Sequence, residues 1–182
     1  TPVFIMVTIC IWILMGRPIF FIQERVGKDC KIFNIIKFRT MKISPSKDIN
    51  TLDDKLRITK FGQFLRNYSL DEIPEFFNVF FGSMSLVGPR PLLIEYLPLY
   101  SKEQNRRHSV KPGITGLAQI NGRNKLTWEQ TFDFDLRYVD KNNLFFDTKI
   151  ILITFKKIIF KDGIDENSQI TKQKFTNKSN NN

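Results

Sequence analysis

Residues 1–15 read TPVFIMVTICIWILM, and from Val3 to Met15 only Thr8 is polar. Crossing a bilayer takes about 20 apolar residues, whereas runs of about 10–14 suit a re-entrant or interfacial segment or a buried helix. The fold class turns on this choice. If apolar residues also precede Thr1, Pro2 falls mid-segment and kinks the helix. A bent helix that enters and leaves by the same membrane face follows. The chain opens on Thr1, already inside the run, so we expect an N-terminally shortened chain with a partial re-entrant helix over residues 1–16. A signal peptide fits less well, because no Ala-x-Ala type site precedes the globular pattern. The plain alternative is a soluble core helix.

Outward from this run, Pro18–Gln23 and Lys31–Met41 are rich in Ile and Phe, with Gly27-Lys28-Asp29 between them. This predicts a β-hairpin. Ser44-Pro45-Ser46-Lys47-Asp48 predicts a loop. Helical patterns cover Lys60–Asn67, Glu72–Phe81, Tyr96–Arg107, Trp128–Asp140 and Asp147–Phe160. Gly82 to Pro91 reads as irregular. Val110–Arg123, with Pro112, Gly113, Gly116 and Gly122, reads as a shaped loop. In the last helix Lys149, Lys156 and Lys157 share one side and isoleucines crowd the rest. Such a helix suits the headgroup plane, or else an ordinary core position with a solvated lysine edge. From Lys161 the chain is polar and predicts a frayed tail. The expected fold is α+β, mainly helical, with one short hairpin: a domain over 1–160 and a tail over 161–182.

The net charge is +10, from 28 Lys+Arg against 18 Asp+Glu. That favours anionic partners. Dispersed basic residues and the lack of a recognition motif argue against nucleic acid. The 18 Phe sit mostly among Ile and Leu, which points to core or membrane contact. Cys10 and Cys30 give no disulfide framework and no metal spacing. His108 is the only histidine, which excludes a histidine-rich zinc site, and no Gly-x-Ser-x-Gly elbow accompanies it.

The densest polar stretch is Ser69-Leu70-Asp71-Glu72-Ile73-Pro74. Adjacent carboxylates at a helix start are often caps. Asp71 could be the N-cap with Pro74 in the first turn, or Ser69 could cap with Glu72 completing a capping box. The chemical alternative gains from Lys37, Arg39, Arg66 and Arg90, which flank the dyad in distinct segments. Phosphoryl transfer needs cations around the moving group, a metal against the diphosphate and an in-line nucleophile. An aspartate can be that nucleophile.

Several blocks in order carry a resemblance: Lys37-Phe38-Arg39-Thr40-Met41, the Ser69–Pro74 stretch, Asn78-Val79, Gly82 through Pro91, and Lys111-Pro112-Gly113-Ile114-Thr115-Gly116. Together they resemble the bacterial sugar transferase family, the monotopic phosphoglycosyl transferases. Leu92–Tyr100 and Ile170–Phe175 resemble its short branch, which transfers phospho-N,N'-diacetylbacillosamine to undecaprenyl phosphate. The resemblance implies a monotopic membrane domain with amphipathic interfacial helices at the cytoplasmic face of the bacterial inner membrane. It implies Asp71 as the nucleophile on the β-phosphate of a UDP-sugar, with UMP leaving and undecaprenyl phosphate taking the phosphosugar. Glu72 is implied as the dyad's second member, in metal binding or acceptor positioning. Lys37, Arg39, Arg66 and Arg90 are implied to grip phosphates, and Asp147 to lie near the nucleotide. Mg²⁺, held by Asp71 and Glu72, is the implied cofactor. UDP-sugar, undecaprenyl phosphate, membrane lipids and downstream glycosyltransferases are the implied partners. Two alternatives stand beside this: a polyisoprenyl-phosphate hexose-1-phosphate transferase for capsule, O-antigen or exopolysaccharide, and a non-enzymatic basic module at the membrane periphery.

Overall fold

Helix α1 (Pro2–Met15) buries only Val7 and Ile11. Val3, Ile5, Met6, Ile9, Trp12, Ile13 and Leu14 remain exposed. The structure, a computed structural model, describes residues 2–43, 57–160 and 174–176. Among them, no helix is long and apolar enough to cross a membrane. Val7 and Ile11 lie one helical turn apart, so they form a single stripe. That stripe packs on Phe38 and Leu65, with Phe4, Met15, Ile19, Phe61, Leu70 and Ile73 around them.

The expected hairpin is present. Strands β1 (Phe20–Val26) and β2 (Ile32–Phe38) pair antiparallel with Phe20 opposite Phe38 and Val26 opposite Ile32. Asp29 and Cys30 turn the chain in the left-handed region, at φ 54° and 59°. Helix α2 (Lys60–Asn67) has the predicted bounds, and Thr59 Oγ1 accepts a capping bond from the Gly62 amide at 2.9 Å. A short 3₁₀ turn over Leu70–Glu72 links it to α3 (Glu75–Phe80). The predicted Glu72–Phe81 helix therefore starts three residues later. Pro74, with no amide hydrogen to give, stands at its N-cap.

The second half departs further from expectation. Strands β3 (Ser85–Val87) and β4 (Gly113–Thr115) form a parallel pair, so the hairpin is not the only sheet. Gly113 permits that pairing, since a Cβ there would lie 2.1 Å from the Gly88 nitrogen. The predicted Tyr96–Arg107 helix is broken into a 3₁₀ turn over Ile94–Leu99, α4 (Lys102–Asn105) and a second 3₁₀ turn over Arg106–Ser109. Pro98 explains the first break, and Ser101 restarts the helix with a capping box to Gln104. The predicted loop 110–123 holds both β4 and α5 (Leu117–Asn121). Helices α6 (Trp128–Lys141) and α7 (Leu144–Phe160) follow, α7 starting three residues ahead of prediction.

One further core joins Val87, Ile120, Tyr138 and Ile150. Another joins Tyr96, Phe132 and Phe175. The expected frayed tail is thus corrected at Phe175, which is only 8 % exposed. The loop predicted at Ser44–Asp48 lies outside the described residues.

Candidate active site

Side chains alternate along a strand. Phe38 faces α1, so its neighbour Lys37 faces the opposite way, toward the turn that carries Asp71 and Glu72. Asn78 fixes α3 against the same strand: its amide donates to the Asn34 carbonyl at 2.7 Å and its oxygen accepts from the Ile36 amide at 3.1 Å. Ser69 enters the turn in the left-handed conformation, φ 54° and ψ 23°, and makes no side-chain cap. No side chain caps α3 either. The capping roles open to Ser69, Asp71 and Glu72 in the sequence are therefore unused.

The dyad's charge is held instead by cations from distant segments. Lys37 Nζ lies 2.7 Å from Glu72 Oε1 and 3.0 Å from Glu75 Oε1. Arg90 Nη2 donates to the same Glu72 oxygen at 2.9 Å. Burial alone would raise the Glu72 pKa. The charges and hydrogen bonds of Lys37 and Arg90 outweigh it and hold the carboxyl well below the usual carboxylate range. Glu75 shows the reverse balance: burial, then repulsion from Glu72, pushes it up to about 7 despite Lys37. Its Oε1 is close enough to Lys37 for an ion pair, yet no hydrogen bond reaches it. The Asp71 pKa is raised by burial and by Glu72, against the pull of Lys37, Arg66 and Arg90. Asp71 makes no side-chain hydrogen bond or ion pair with any described residue.

The cluster thus unites Asp71, Glu72, Lys37, Arg66 and Arg90. Arg66, in the last turn of α2, also donates to Thr40 Oγ1 at 3.0 Å. Arg39 is not bonded to the cluster. It is buried and donates to the Met15 and Gly16 carbonyls, closing the C-terminus of α1. Asp147 is likewise engaged elsewhere: its Oδ1 accepts from the Tyr138 hydroxyl at 2.9 Å, and that hydroxyl also lies 3.1 Å from the Val87 carbonyl. Burial and the Asp147 bond raise the Tyr138 pKa. Sequence reasoning did not single out Glu75. Its signal was present: a third carboxylate one helical turn past the dyad, in reach of the same lysine.

Mg²⁺ prefers hard oxygens and is often held by one or two carboxylates plus substrate phosphates. No group of three or more His, Cys, Asp or Glu arranged for a metal occurs among the described residues. Asp71 nevertheless fits such an ion, because both its oxygens lack a protein partner, whereas Glu72 Oε1 already serves two cations. Charge balance points the same way. Three carboxyls face three cations here, so an arriving diphosphate brings negative charge that the side chains alone do not offset.

Residues 1–161 match the family model described as bacterial sugar transferase. The uncharacterized sugar transferase EpsL of Bacillus subtilis is 48% identical over 177 residues, covering 97% of this chain and 88% of that protein. A UDP-glucose:undecaprenyl-phosphate glucose-1-phosphate transferase of Klebsiella pneumoniae is 40% identical, covering 90% of this chain but 37% of its own length. An undecaprenyl-phosphate galactose phosphotransferase of Salmonella typhimurium is 37% identical, covering 81% and 35%. The chain spans most of EpsL and about a third of the other two. These two relatives are named for glucose and galactose, so the expectation of a bacillosamine donor gains no support from them. The motif blocks around Asp71 and the match across 1–161 agree, and the chain belongs to the bacterial sugar transferase family, enzymes of the transferase class.

Proposed function

We propose that this protein transfers a hexose-1-phosphate from a UDP-hexose to a polyprenyl phosphate through a covalent phosphosugar on Asp71. One observation carries the reading: of the three carboxyls in the cluster, Asp71 alone has no ion pair, while Lys37, Arg66 and Arg90 surround it. A nucleophile must be near positive charge but not consumed by it.

In the first step an Asp71 oxygen attacks the β-phosphorus. The bond from that phosphorus to the bridging oxygen breaks, and UMP leaves with the electron pair. In the second step an oxygen of the polyprenyl phosphate attacks the same phosphorus and the Asp71 carboxylate departs. Both attacking groups are anions, so neither step needs a general base. Arg90 and Lys37 orient Glu72 and offset the charge on the phosphates, with Arg66 beside Asp71. Asp71, with Glu72 beside it in the chain, would hold Mg²⁺, which would supply further neutralisation of the diphosphate. The raised Asp71 pKa suits the role, since a less stabilised carboxylate is the stronger nucleophile.

We place the protein on one leaflet of a bacterial membrane. Supporting this are the exposed apolar residues of α1, the exposed Phe76, Phe77, Phe80 and Phe81 beside the dyad, and Leu152, Phe155, Ile159 and Phe160 on α7. Such exposed apolar side chains suit lipid contact. Helix α1, 14 residues long, spans about 21 Å at 1.5 Å per residue, and its exposed apolar side chains enter the bilayer. The soluble UDP-hexose and the acceptor phosphate meet at headgroup level.

The test is UMP release with Mg²⁺ and undecaprenyl phosphate across a panel of UDP-glucose, UDP-galactose and UDP-N,N'-diacetylbacillosamine. Release with a hexose donor supports the reading. Release with the bacillosamine donor alone would reverse the choice of sugar, and no release with any donor would favour a non-enzymatic membrane module.

A further inference from the structure

Arg90 stands between two prolines, Pro89 and Pro91, which offer no amide hydrogen to fix the loop from within. The loop is held from outside. The Gly113 amide donates to the Pro89 carbonyl at 3.1 Å. Arg107 Nη2 donates to the Arg90 carbonyl at 2.8 Å. Arg107 is itself locked, because its Nε and Nη2 both reach Asp135 Oδ2, at 3.0 and 2.7 Å. Both side chains are only 2 % exposed. The guanidinium lies 6.0 Å from the Tyr100 ring centre and 5.8 Å from that of Phe132. Phe175 stacks on Tyr100 and meets Phe132 edge-on, covering the pair.

A buried ion pair contributes little net stability over an apolar pair of similar size. What this pair adds is geometry. One guanidinium fork joins α6, the Arg106–Ser109 turn and the backbone of the very residue whose side chain reaches Glu72. Arg90 keeps 47 % of its side chain exposed, so its own surroundings restrict it little.

Resting on the function proposed above, we infer that Arg107 is a positioning residue: locked by Asp135, it anchors the Arg90 carbonyl and so sets the Arg90 guanidinium on Glu72. The side-chain placement of Arg90 depends on a contact on the far side of its own backbone. Asp135 acts through Arg107, and Phe175 packs on the Tyr100 and Phe132 rings that face the guanidinium.

The experiment is a double-mutant cycle in the full chain. R107M/D135L replaces the pair with apolar groups of similar size, which keeps the fold but removes the anchor. In the wild-type background kcat/KM for UMP release falls about tenfold or more, as small misplacements of catalytic groups do. In an R90A background the same pair changes the rate less than about twofold, because the residue being positioned is gone. A crystal structure of R107M/D135L shows the Arg90–Glu72 contact broken. An equal loss in both backgrounds indicates general loosening and overturns the inference, as does no loss in the wild-type background or an intact Arg90–Glu72 contact. If the pair variant does not fold, R107K replaces it: lysine keeps the charge but lacks the planar fork, and the same outcomes decide. If wild-type protein releases no UMP, the proposed function fails, and the Arg90–Glu72 contact in the variant crystal still decides this point.

Discussion

Replacing Lys37 with Met leaves two carboxyls without their shared cation. Lys37 and Glu72 are each 17 % exposed, and Glu75 is 2 % exposed. Breaking a buried pair costs about 3–5 kcal/mol, but two features reduce this here. Glu72 keeps Arg90, and Glu75, held at about 7, can take up a proton. The sign follows from linkage. A carboxyl whose folded pKa is raised stabilises the fold below its unfolded pKa, and that stability is lost as pH rises through about 7. Without Lys37 the Glu75 pKa rises further, since Lys37 lowers it. The variant therefore keeps losing stability above pH 7, where the wild type has largely stopped. Each pH unit over which only the variant's Glu75 still holds its proton costs the variant about 1.4 kcal/mol. We expect K37M to cost about 1–2 kcal/mol near pH 6 and more near pH 8. Urea unfolding followed by the fluorescence of Trp12 and Trp128 measures it. A destabilisation that does not change with pH would refute the coupling of Glu75 to Lys37.

Other outcomes follow from the same geometry. D71N should lower UMP release by about a thousandfold or more while leaving Tm unchanged or slightly raised, because it removes a half-buried charge that has no partner. R90A should lower kcat/KM about a hundredfold with little loss of Tm, since Lys37 still holds Glu72; an unchanged kcat/KM contradicts the role given to Arg90. G113A should lower Tm sharply, because its Cβ would lie 2.1 Å from a backbone nitrogen, and neither strand of the β3–β4 pair can yield without losing its register.

What the sequence revealed was local and what it hid was distant. Helix α2 was legible to the residue because Thr59 caps it and its apolar positions repeat at helical spacing. Helix α6 was similarly clear, opened by the Thr127–Gln130 capping box. The dyad, Lys37 and Arg90 were legible in motif blocks and Arg66 as a cation flanking the dyad, and the structure brings Lys37, Arg66 and Arg90 around Asp71 and Glu72. The β3–β4 pair was hidden because three-residue strands have no measurable period, and their pairing joins residues 28 apart in the chain. Arg39 looked like one cation among four. Nothing local marks it as the partner of carbonyls at the end of α1. Phe175 sits in a polar tail, and only the ring cluster of Tyr96, Tyr100, Trp128 and Phe132 gives it a place.

The proposed transfer requires a bond between Asp71 and phosphorus. Wild-type protein incubated with a UDP-hexose and Mg²⁺, without lipid acceptor, then acid-quenched and digested, should yield a peptide containing Ser69–Pro74 heavier by one hexose phosphate. Adding undecaprenyl phosphate before the quench should discharge it, and D71N should never form it. Turnover by the wild type with no adduct on that peptide, or an adduct that persists in D71N, would contradict the covalent route through Asp71.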